Sequence, residues 1–170
     1  FNFVIENLSI QNNNQNDENR LLGGENIILY GVPGSGKSWT IKNQYIDDSA
    51  FVERIVFHPD YTYNDFIGQI LPQISSEGGV SYEFIPGPFT KILKIAYNNK
   101  SNRCFLIIEE INRGNSAAIF GDIFQLLDRD ENGKSEYFLT NSDISKYVFG
   151  NELEKVYLPS SLTIICTMNT

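Results

Sequence analysis

Four short apolar runs along the chain predict buried β-strands. In order, they are "NIILY", "FVERIVF", "CFLII" and "LTIIC". Between the second and third runs, Phe89, Ile92, Leu93 and Ala96 recur at helical spacing, and Pro88 suits the first position of that helix. Because strands alternate with helices, the pattern predicts an α/β fold, in which a parallel sheet carries helices on both faces.

The intervening segments predict smaller elements around this sheet. A helix is expected after Lys37 and another within "YTYNDFIGQI". Two β-leaning arms around Glu77-Gly78-Gly79 predict a hairpin. After a turn at "ENGK", the segments "SEYFL" and "EKVYLP" predict a second hairpin with a long tip. A further helix is predicted in "NSAAIFGDIFQLLDRD", whose apolar face comprises Ile119, Phe120, Ile123, Phe124 and Leu127.

The chain of 170 residues is expected to contain one domain, preceded by a short segment. At the start, "FNFVIENLSI" alternates loosely and predicts a strand, whereas "QNNNQNDENR" is polar, of low complexity and typical of a linker. We therefore assign residues 1–20 to an N-terminal strand and linker, and residues 21–170 to the globular core.

The charge balance argues against some classes of function. The chain has 21 acidic and 13 basic residues, a net charge of −8, and no cluster of Lys and Arg. Because phosphate contacts need clustered cations, tight binding of nucleic acid by this part of the chain is disfavoured. No stretch is apolar enough to span a membrane, so we expect no membrane partner and, by default, a cytoplasmic location.

The residues that most often act as nucleophiles or zinc ligands are few. Cys104 and Cys166 lie in apolar runs, which predicts buried thiols in a reducing compartment. His58 is the single histidine. One histidine and two distant cysteines cannot form a zinc cluster of the usual spacing. No motif around His58 supports a Ser-His-Asp enzyme, and we interpret it as a residue at a strand end.

The segment after the first apolar run carries the strongest chemical signal. "GVPGSGKS" fits the pattern G-x-x-x-x-G-K-[ST] and is predicted to follow a strand and open a helix, as a phosphate-binding loop does. Glycines let backbone N–H groups point towards a phosphate. Lys37 would neutralise the β- and γ-phosphates, and Ser38 would ligate Mg²⁺. The predicted nucleotide-binding residues are Gly31, Val32, Pro33, Gly34, Ser35, Gly36, Lys37, Ser38 and Trp39.

Polar residues also end the third and fourth strands. Glu109 and Glu110 follow "CFLII", and Asn169 follows "LTIIC". Since side chains alternate along a strand, we expect the two acids to serve different roles. Glu109 would face the hydration shell of Mg²⁺, and Glu110 would polarise an attacking water. If the strand of Asn169 lies between the other two, its amide would reach the γ-phosphate and that water.

Five segments in order resemble AAA+ proteins over about residues 21–170. "GVPGSGKS", "EEINRGNSAAIFGDI" and "TIICTMNT" are similar to the phosphate loop, the Walker B segment and the sensor 1 segment. "FHPDYTYNDFIGQILP" and "VYLPSSL" resemble the McrB-like, dynein-related group, whose members include the GTPase motor subunits of methyl-directed restriction systems. "PGPF" with its helix resembles that group too.

This resemblance implies an architecture and partners beyond the residues themselves. It implies that the sensor 1 strand lies between the phosphate-loop strand and the Walker B strand. It also implies that both hairpins are insertions, and that a fifth strand, trans-acting arginines and a helical lid would follow Thr170. Such proteins form rings, usually hexamers, and act with an McrC-like endonuclease subunit. DNA would then be bound only by other regions, and residues 1–170 alone would hydrolyse nucleotide weakly.

Glu109 departs from the family pattern, and Arg113 is a candidate for a contact between subunits. Glu109 stands where Asp is usual, and its extra methylene can still reach a metal-bound water. Arg113 follows the acid pair, where the resemblance allows a contact with a neighbouring subunit's nucleotide. A local salt bridge near the helix start is an equal alternative for Arg113.

Three functions remain open from the sequence. The first is a motor core that binds and hydrolyses ATP or GTP with Mg²⁺; Lys37, Glu110 and Asn169 would be its catalytic residues. The second is a P-loop kinase, although the chain lacks the arginine cluster that clamps two phosphates. The third is a module that binds nucleotide as a switch without efficient hydrolysis. The chain has no N-K-x-D guanine motif, and the phosphate loop does not read the base.

Overall fold

The computed structural model describes residues 19–74, 76 and 78–170. The predicted strand in residues 1–10 lies outside these residues. The described strands are β1 (Asn26–Gly31), β2 (Phe51–Val56), β3 (Gly68–Ile74), β4 (Val80–Pro86), β5 (Cys104–Glu109) and β6 (Leu162–Asn169). The described α-helices are α1 (Lys37–Thr40), α2 (Tyr63–Ile67), α3 (Pro88–Asn98), α4 (Ser116–Phe120) and α5 (Ser142–Phe149).

The central sheet is parallel, with strand order β1-β6-β5-β2. This confirms the predicted α/β class and the position of β6 between β1 and β5. Gly31 pairs with Asn169, and Val56 pairs with Glu109, so the carboxyl ends of the strands lie side by side. β3 and β4 form a separate antiparallel hairpin, which confirms the first inserted hairpin.

Side chains on β5 show how the sheet divides the core into two layers. Leu106 and Ile108 face the larger apolar cluster, which includes residues of α2, α3, α4 and α5. Phe105 and Ile107 face a smaller cluster that includes Ile41, which follows α1. Each fully buried side chain of this size stabilises the fold by roughly 1.5–3 kcal/mol. Helices therefore cover both faces of the sheet, as predicted.

Helix α3 forms where the sequence predicts it. Pro88 occupies the start of the helix, and Phe89, Ile92, Leu93 and Ala96 are fully buried. A proline there loses nothing, because the first N–H groups of a helix have no partner within the helix.

The helix predicted in "NSAAIFGDIFQLLDRD" is broken at its centre. α4 ends at Phe120, and a 3₁₀ helix spans Gly121–Leu127. Gly121 has φ 52° and ψ −127°, a conformation that no α-helix can continue through. Of the predicted apolar face, Ile123 is buried but Phe124 is 46% exposed. The predicted uninterrupted face was therefore wrong after Gly121.

The second predicted hairpin forms without regular strands, so the prediction of strands in "SEYFL" and "EKVYLP" was wrong. Its arms are joined by an isolated antiparallel bridge, in which Leu139 and Val156 exchange two backbone hydrogen bonds of 2.9 Å, and by a hydrogen bond of 3.0 Å from the N–H of Ser135 to the carbonyl of Leu158. The tip is helix α5, which the sequence analysis missed. Two signals could have revealed α5: Asn141 caps it by accepting a hydrogen bond from the N–H of Ile144 at 3.0 Å, and Gly150 ends it.

The helix predicted after Lys37 changes type along its length. The helix after Lys37 is α-helical only to Thr40 and continues as a π-helix over Ile41–Tyr45.

Arg20, assigned to the N-terminal linker, is buried; it donates hydrogen bonds of 3.2 Å to the carbonyl of Tyr97 and the hydroxyl of Ser161. The division of the chain at residue 20 otherwise stays a prediction.

Both cysteines are buried and free. Burial raises the pKa of the Cys104 thiol to about 11 and the pKa of the Cys166 thiol to about 12, because a thiolate would lose its hydration there. These thiols are therefore protonated and structural, as predicted. Within the described residues, no helix has the length and apolar character needed to cross a bilayer.

Candidate functional site

A polar cleft of about 360 Å³ lies at the carboxyl edge of the sheet. It exists because β6 lies between β1 and β5, so the polar residues that end these strands converge on one place. The loop after β1 forms one wall, and the ends of β5 and β6 form the other. Its lining residues are Pro33, Gly34, Ser35, Gly36, Lys37, Ser38, Trp39, Glu109, Glu110, Thr167 and Asn169.

The loop between β1 and α1 depends on two glycines. Gly34 has φ 80° and Gly36 has φ 87°, in the left-handed region that other residues enter at a cost of roughly 1–2 kcal/mol. A Cβ at either position would meet no atom within 4 Å, so the backbone conformation alone requires glycine. The glycine-rich sequence therefore sets the curvature of this wall.

Lys37 reaches back across the same loop. Its Nζ donates hydrogen bonds to the carbonyl of Gly31 at 2.8 Å and to the carbonyl of Val32 at 3.0 Å. Gly31 and Val32 thus contribute carbonyl groups that hold the lysine, and they do not line the cleft. The ammonium group lies inside the curve of the loop, where an anion would meet it.

Among the described residues, Asn19 and Glu110 are the two non-glycine residues with a positive φ, and Glu110 has φ 56° and ψ 45°. The alternation of side chains along β5 ends at Glu109, and this turn brings the next side chain into the cleft as well. A conformation of this kind costs roughly 1–3 kcal/mol and persists only where the surroundings hold it. The structure therefore places both acids in one site, which the alternation rule does not predict.

Two contacts from β6 hold Glu110. The side-chain amide of Asn169 donates a hydrogen bond to Oε1 of Glu110. The hydroxyl of Thr167 accepts a hydrogen bond from the backbone N–H of Glu110 at 3.3 Å. Asn112 donates from its amide to the backbone carbonyl of Asn169 at 3.1 Å, which fixes the end of β6.

Thr167 is a site residue that the sequence analysis missed. It lies two residues before Asn169 on β6, so the two side chains share a face of the sheet. The period of two along a strand could have identified it once Asn169 was chosen. Thr167 is 5% exposed, so its hydroxyl is held firmly beside the acid pair.

Replacing Thr167 with valine should lower the free energy of unfolding by about 1 kcal/mol. Valine preserves the branched shape but leaves the N–H of Glu110 without this partner, and a hydrogen bond contributes roughly 1 kcal/mol net. Urea denaturation of the variant and of the unsubstituted protein measures the loss, and an unchanged free energy of unfolding would show that the hydroxyl has no part in holding Glu110.

Glu109 and Arg113 differ in their surroundings. Glu109 lines the cleft and is paired with Arg54, whose Nη1 lies 2.5 Å from Oε1 of Glu109. Arg113 is exposed and does not line the cleft; its backbone N–H donates to the carbonyl of Glu110 at 2.9 Å. The structure shows no salt bridge from Arg113 to a described residue, and its role between subunits stays a prediction.

The donors in the cleft suit Mg²⁺ better than a transition metal. The hydroxyl of Ser38, the carboxylates of Glu109 and Glu110, and the amide of Asn169 line one small space. Mg²⁺ prefers oxygen ligands and keeps several waters, with one or two carboxylates and phosphate oxygens completing its shell. This set fits a hydrated Mg²⁺ that arrives with a phosphate.

A phosphate-type loop between a parallel strand and a helix, with acids and an amide on the neighbouring strands, defines a P-loop α/β protein. The comparison with protein families matches residues 26–170 to the AAA domain of the dynein-related subfamily. The chain belongs to this family, which confirms the resemblance seen in the sequence.

Two curated proteins are similar to this chain. One is the type II restriction enzyme BsuMI component YdiS of Bacillus subtilis, 40% identical over 85% of this chain and 50% of its own length. The other is the type IV methyl-directed restriction enzyme EcoKMcrB subunit of Escherichia coli, 32% identical over 89% of this chain and 32% of its own length. The chain thus spans half or less of each relative.

One solved structure is a more distant match. A protein from Cytophaga hutchinsonii is similar over 91% of this chain and 41% of its own, with a TM-score of 0.47 and 19% identity. A likeness at that level adds nothing to the assignment, which rests on the family match and the curated relatives.

Proposed function

We propose that this domain binds a nucleoside triphosphate together with Mg²⁺ and hydrolyses it. The observation that carries the proposal is the convergence of the phosphate loop, Glu109, Glu110 and Asn169 on one cleft. Membership of the AAA family supports nucleotide binding and hydrolysis in general. Neither the cleft nor the family match identifies the base, so ATP and GTP remain alternatives.

In this proposal the loop and Lys37 bind the phosphates. The ammonium group of Lys37 exchanges its carbonyl partners for phosphate oxygens, which form shorter and stronger charge-assisted hydrogen bonds. Ser38 and Glu109 would hold Mg²⁺ and its waters, and Trp39 would lie beside the nucleotide. When bound, Mg²⁺ supplies positive charge that neutralises the phosphates.

Glu110 and Asn169 carry the chemical step. The carboxylate of Glu110 accepts the proton of a water that attacks the γ-phosphorus, and the bond to the leaving β-phosphate oxygen breaks. The amide of Asn169, which contacts Oε1 of Glu110, fixes the direction of that carboxylate. Because the backbone at Glu110 is held in a left-handed conformation, its side chain is oriented before substrate arrives.

We infer that the wider role lies in a DNA restriction system. The names of the two relatives, a type II restriction component and a methyl-directed restriction subunit, support this inference. The complete protein would assemble into a ring, with Arg113 near a subunit boundary, and act with an endonuclease subunit. Its net charge of −8 favours contact with DNA through other regions.

The other two candidate functions gain less support. A kinase needs cationic groups around a second phosphoryl group, and no arginine is among the described residues that line the cleft. A switch without hydrolysis would have no need for the contact between Asn169 and Glu110.

Binding of fluorescent N-methylanthraniloyl derivatives of GTP and ATP to the complete protein tests the proposal. We expect Mg²⁺-dependent binding, with energy transfer from Trp39, which is 65% exposed at the cleft. A Trp39→Phe variant identifies the part of the transfer that comes from this residue. Displacement by unlabelled GTP and ATP separates the two bases. If neither nucleotide binds with Mg²⁺ present, the proposed function is wrong.

A further inference from the structure

Arg54 is the one described residue that forms a salt bridge with an acid of the cleft. It lies on β2, opposite Ile107 of β5, whereas Val56 lies opposite Glu109. The guanidinium group therefore extends along the sheet towards its carboxyl edge. There, Nη1 donates a hydrogen bond to Oε1 of Glu109 at 2.5 Å.

We propose that Arg54 is a positioning residue that holds the carboxylate of Glu109 in the orientation that Mg²⁺ requires. The inference rests on the proposed function and assigns a role to a residue outside the cleft lining. Arg54 would act only through Glu109, without touching nucleotide or metal.

The side chain of Glu109 would be mobile without a partner. Glu109 has three rotatable side-chain torsions and is 26% exposed, so a free carboxylate would sample several orientations. The contact with Arg54 engages Oε1. No described residue forms a hydrogen bond with Oε2, which leaves that oxygen for a water of the metal shell. Groups that orient a metal-facing carboxylate in this way commonly change metal affinity 10- to 100-fold.

The salt bridge between Arg54 and Glu109 adds little to the stability of the fold. The side chain of Arg54 is 40% exposed, and a salt bridge that is so open to solvent contributes little to the free energy of folding. The main effect of this salt bridge is therefore on the orientation of the Glu109 carboxylate. For the same reason, variants at Arg54 should fold normally, which makes the inference testable.

A competing effect has the opposite sign. Arg54 could weaken Mg²⁺ binding, because a guanidinium group near the metal repels it and occupies one carboxylate oxygen. Under that alternative, removal of Arg54 would strengthen Mg²⁺ binding. Under our proposal, removal weakens it, since the ordering of Glu109 outweighs a repulsion that water screens at this exposed position.

The test measures binding of an N-methylanthraniloyl nucleotide to the complete protein as Mg²⁺ is increased. We expect Arg54→Gln to raise the Mg²⁺ concentration at half-saturation about three- to tenfold, below the range for more buried groups that hydrogen-bond to metal ligands. Nucleotide binding in EDTA should be unchanged. Arg54→Lys keeps the charge without the planar fork, so it should recover only part of the effect.

Two controls separate positioning from general electrostatics. Arg103→Gln removes the same charge from the residue that precedes β5, at the far end of the strand from Glu109, and should leave the Mg²⁺ requirement unchanged. In a Glu109→Gln background, Arg54→Gln should add no further loss, because the group it positions is gone.

The outcomes are distinct. An unchanged or lower Mg²⁺ requirement in Arg54→Gln would overturn the positioning role, and so would an additional loss in the Glu109→Gln background. If the unsubstituted protein binds nucleotide with no Mg²⁺ dependence at all, the proposed function fails and this inference fails with it. If only the variants behave unexpectedly, the proposed function stands.

Discussion

Lys37→Ala should abolish measurable nucleotide binding at concentrations that saturate the unsubstituted protein. Lys37 lies inside the curve of the phosphate loop, where its ammonium group already bonds the carbonyls of Gly31 and Val32. On binding, those bonds are exchanged for charge-assisted bonds to phosphate, each of which contributes roughly 1.5–3 kcal/mol. A loss of about 3 kcal/mol weakens binding more than a hundredfold. Titration with an N-methylanthraniloyl nucleotide in the presence of Mg²⁺ measures this loss.

Lys42→Ala is the matched control for Lys37→Ala. Lys42 lies in the π-helix that follows α1, is exposed and does not line the cleft. Its removal takes away the same single positive charge from the chain and should weaken binding little. Thermal unfolding of both variants without nucleotide shows whether the loop has been damaged. If Lys37→Ala binds as tightly as Lys42→Ala, the loop does not hold phosphate in the proposed way.

The parts of the fold that follow from local pattern could be predicted from the sequence. The apolar runs that became β1, β2, β5 and β6 needed only their own hydrophobicity, and α3 needed only its spacing and Pro88. The strand order could not be predicted in this way, because no local pattern encodes which strands are neighbours. It came from the resemblance to AAA+ proteins, and the structure confirms it.

The missed features depend on single backbone angles or on contacts between distant residues. Gly121 interrupts a predicted helix because its φ is 52°, although its apolar neighbours keep helical spacing. Glu110 was predicted in the site, but the left-handed turn of its backbone that brings its side chain into the cleft was not. Arg54 and Glu109 are 55 positions apart, and their contact exists only because β2 and β5 are neighbours.

Glu110→Gln should reduce turnover by about 10²–10⁴-fold while nucleotide binding is retained. The amide of glutamine cannot accept the proton of the attacking water, and loss of a general base commonly costs this much. Its side-chain oxygen can still accept the hydrogen bond that Asn169 donates, so the site should keep its shape. Phosphate release by the complete protein at saturating nucleotide and Mg²⁺ measures the rate, and equilibrium binding measures affinity separately.

The comparison with Glu109→Gln decides which acid carries the chemical step. Glu109 bonds Arg54 and faces the proposed metal position, so its loss should raise the Mg²⁺ requirement, with turnover partly restored at high Mg²⁺. Excess Mg²⁺ should not restore Glu110→Gln, because the missing function is proton acceptance. Glu131→Gln, an exposed change in the turn after Arg129, should leave both quantities unaltered. If high Mg²⁺ rescued Glu110→Gln and not Glu109→Gln, the two roles would have to be exchanged.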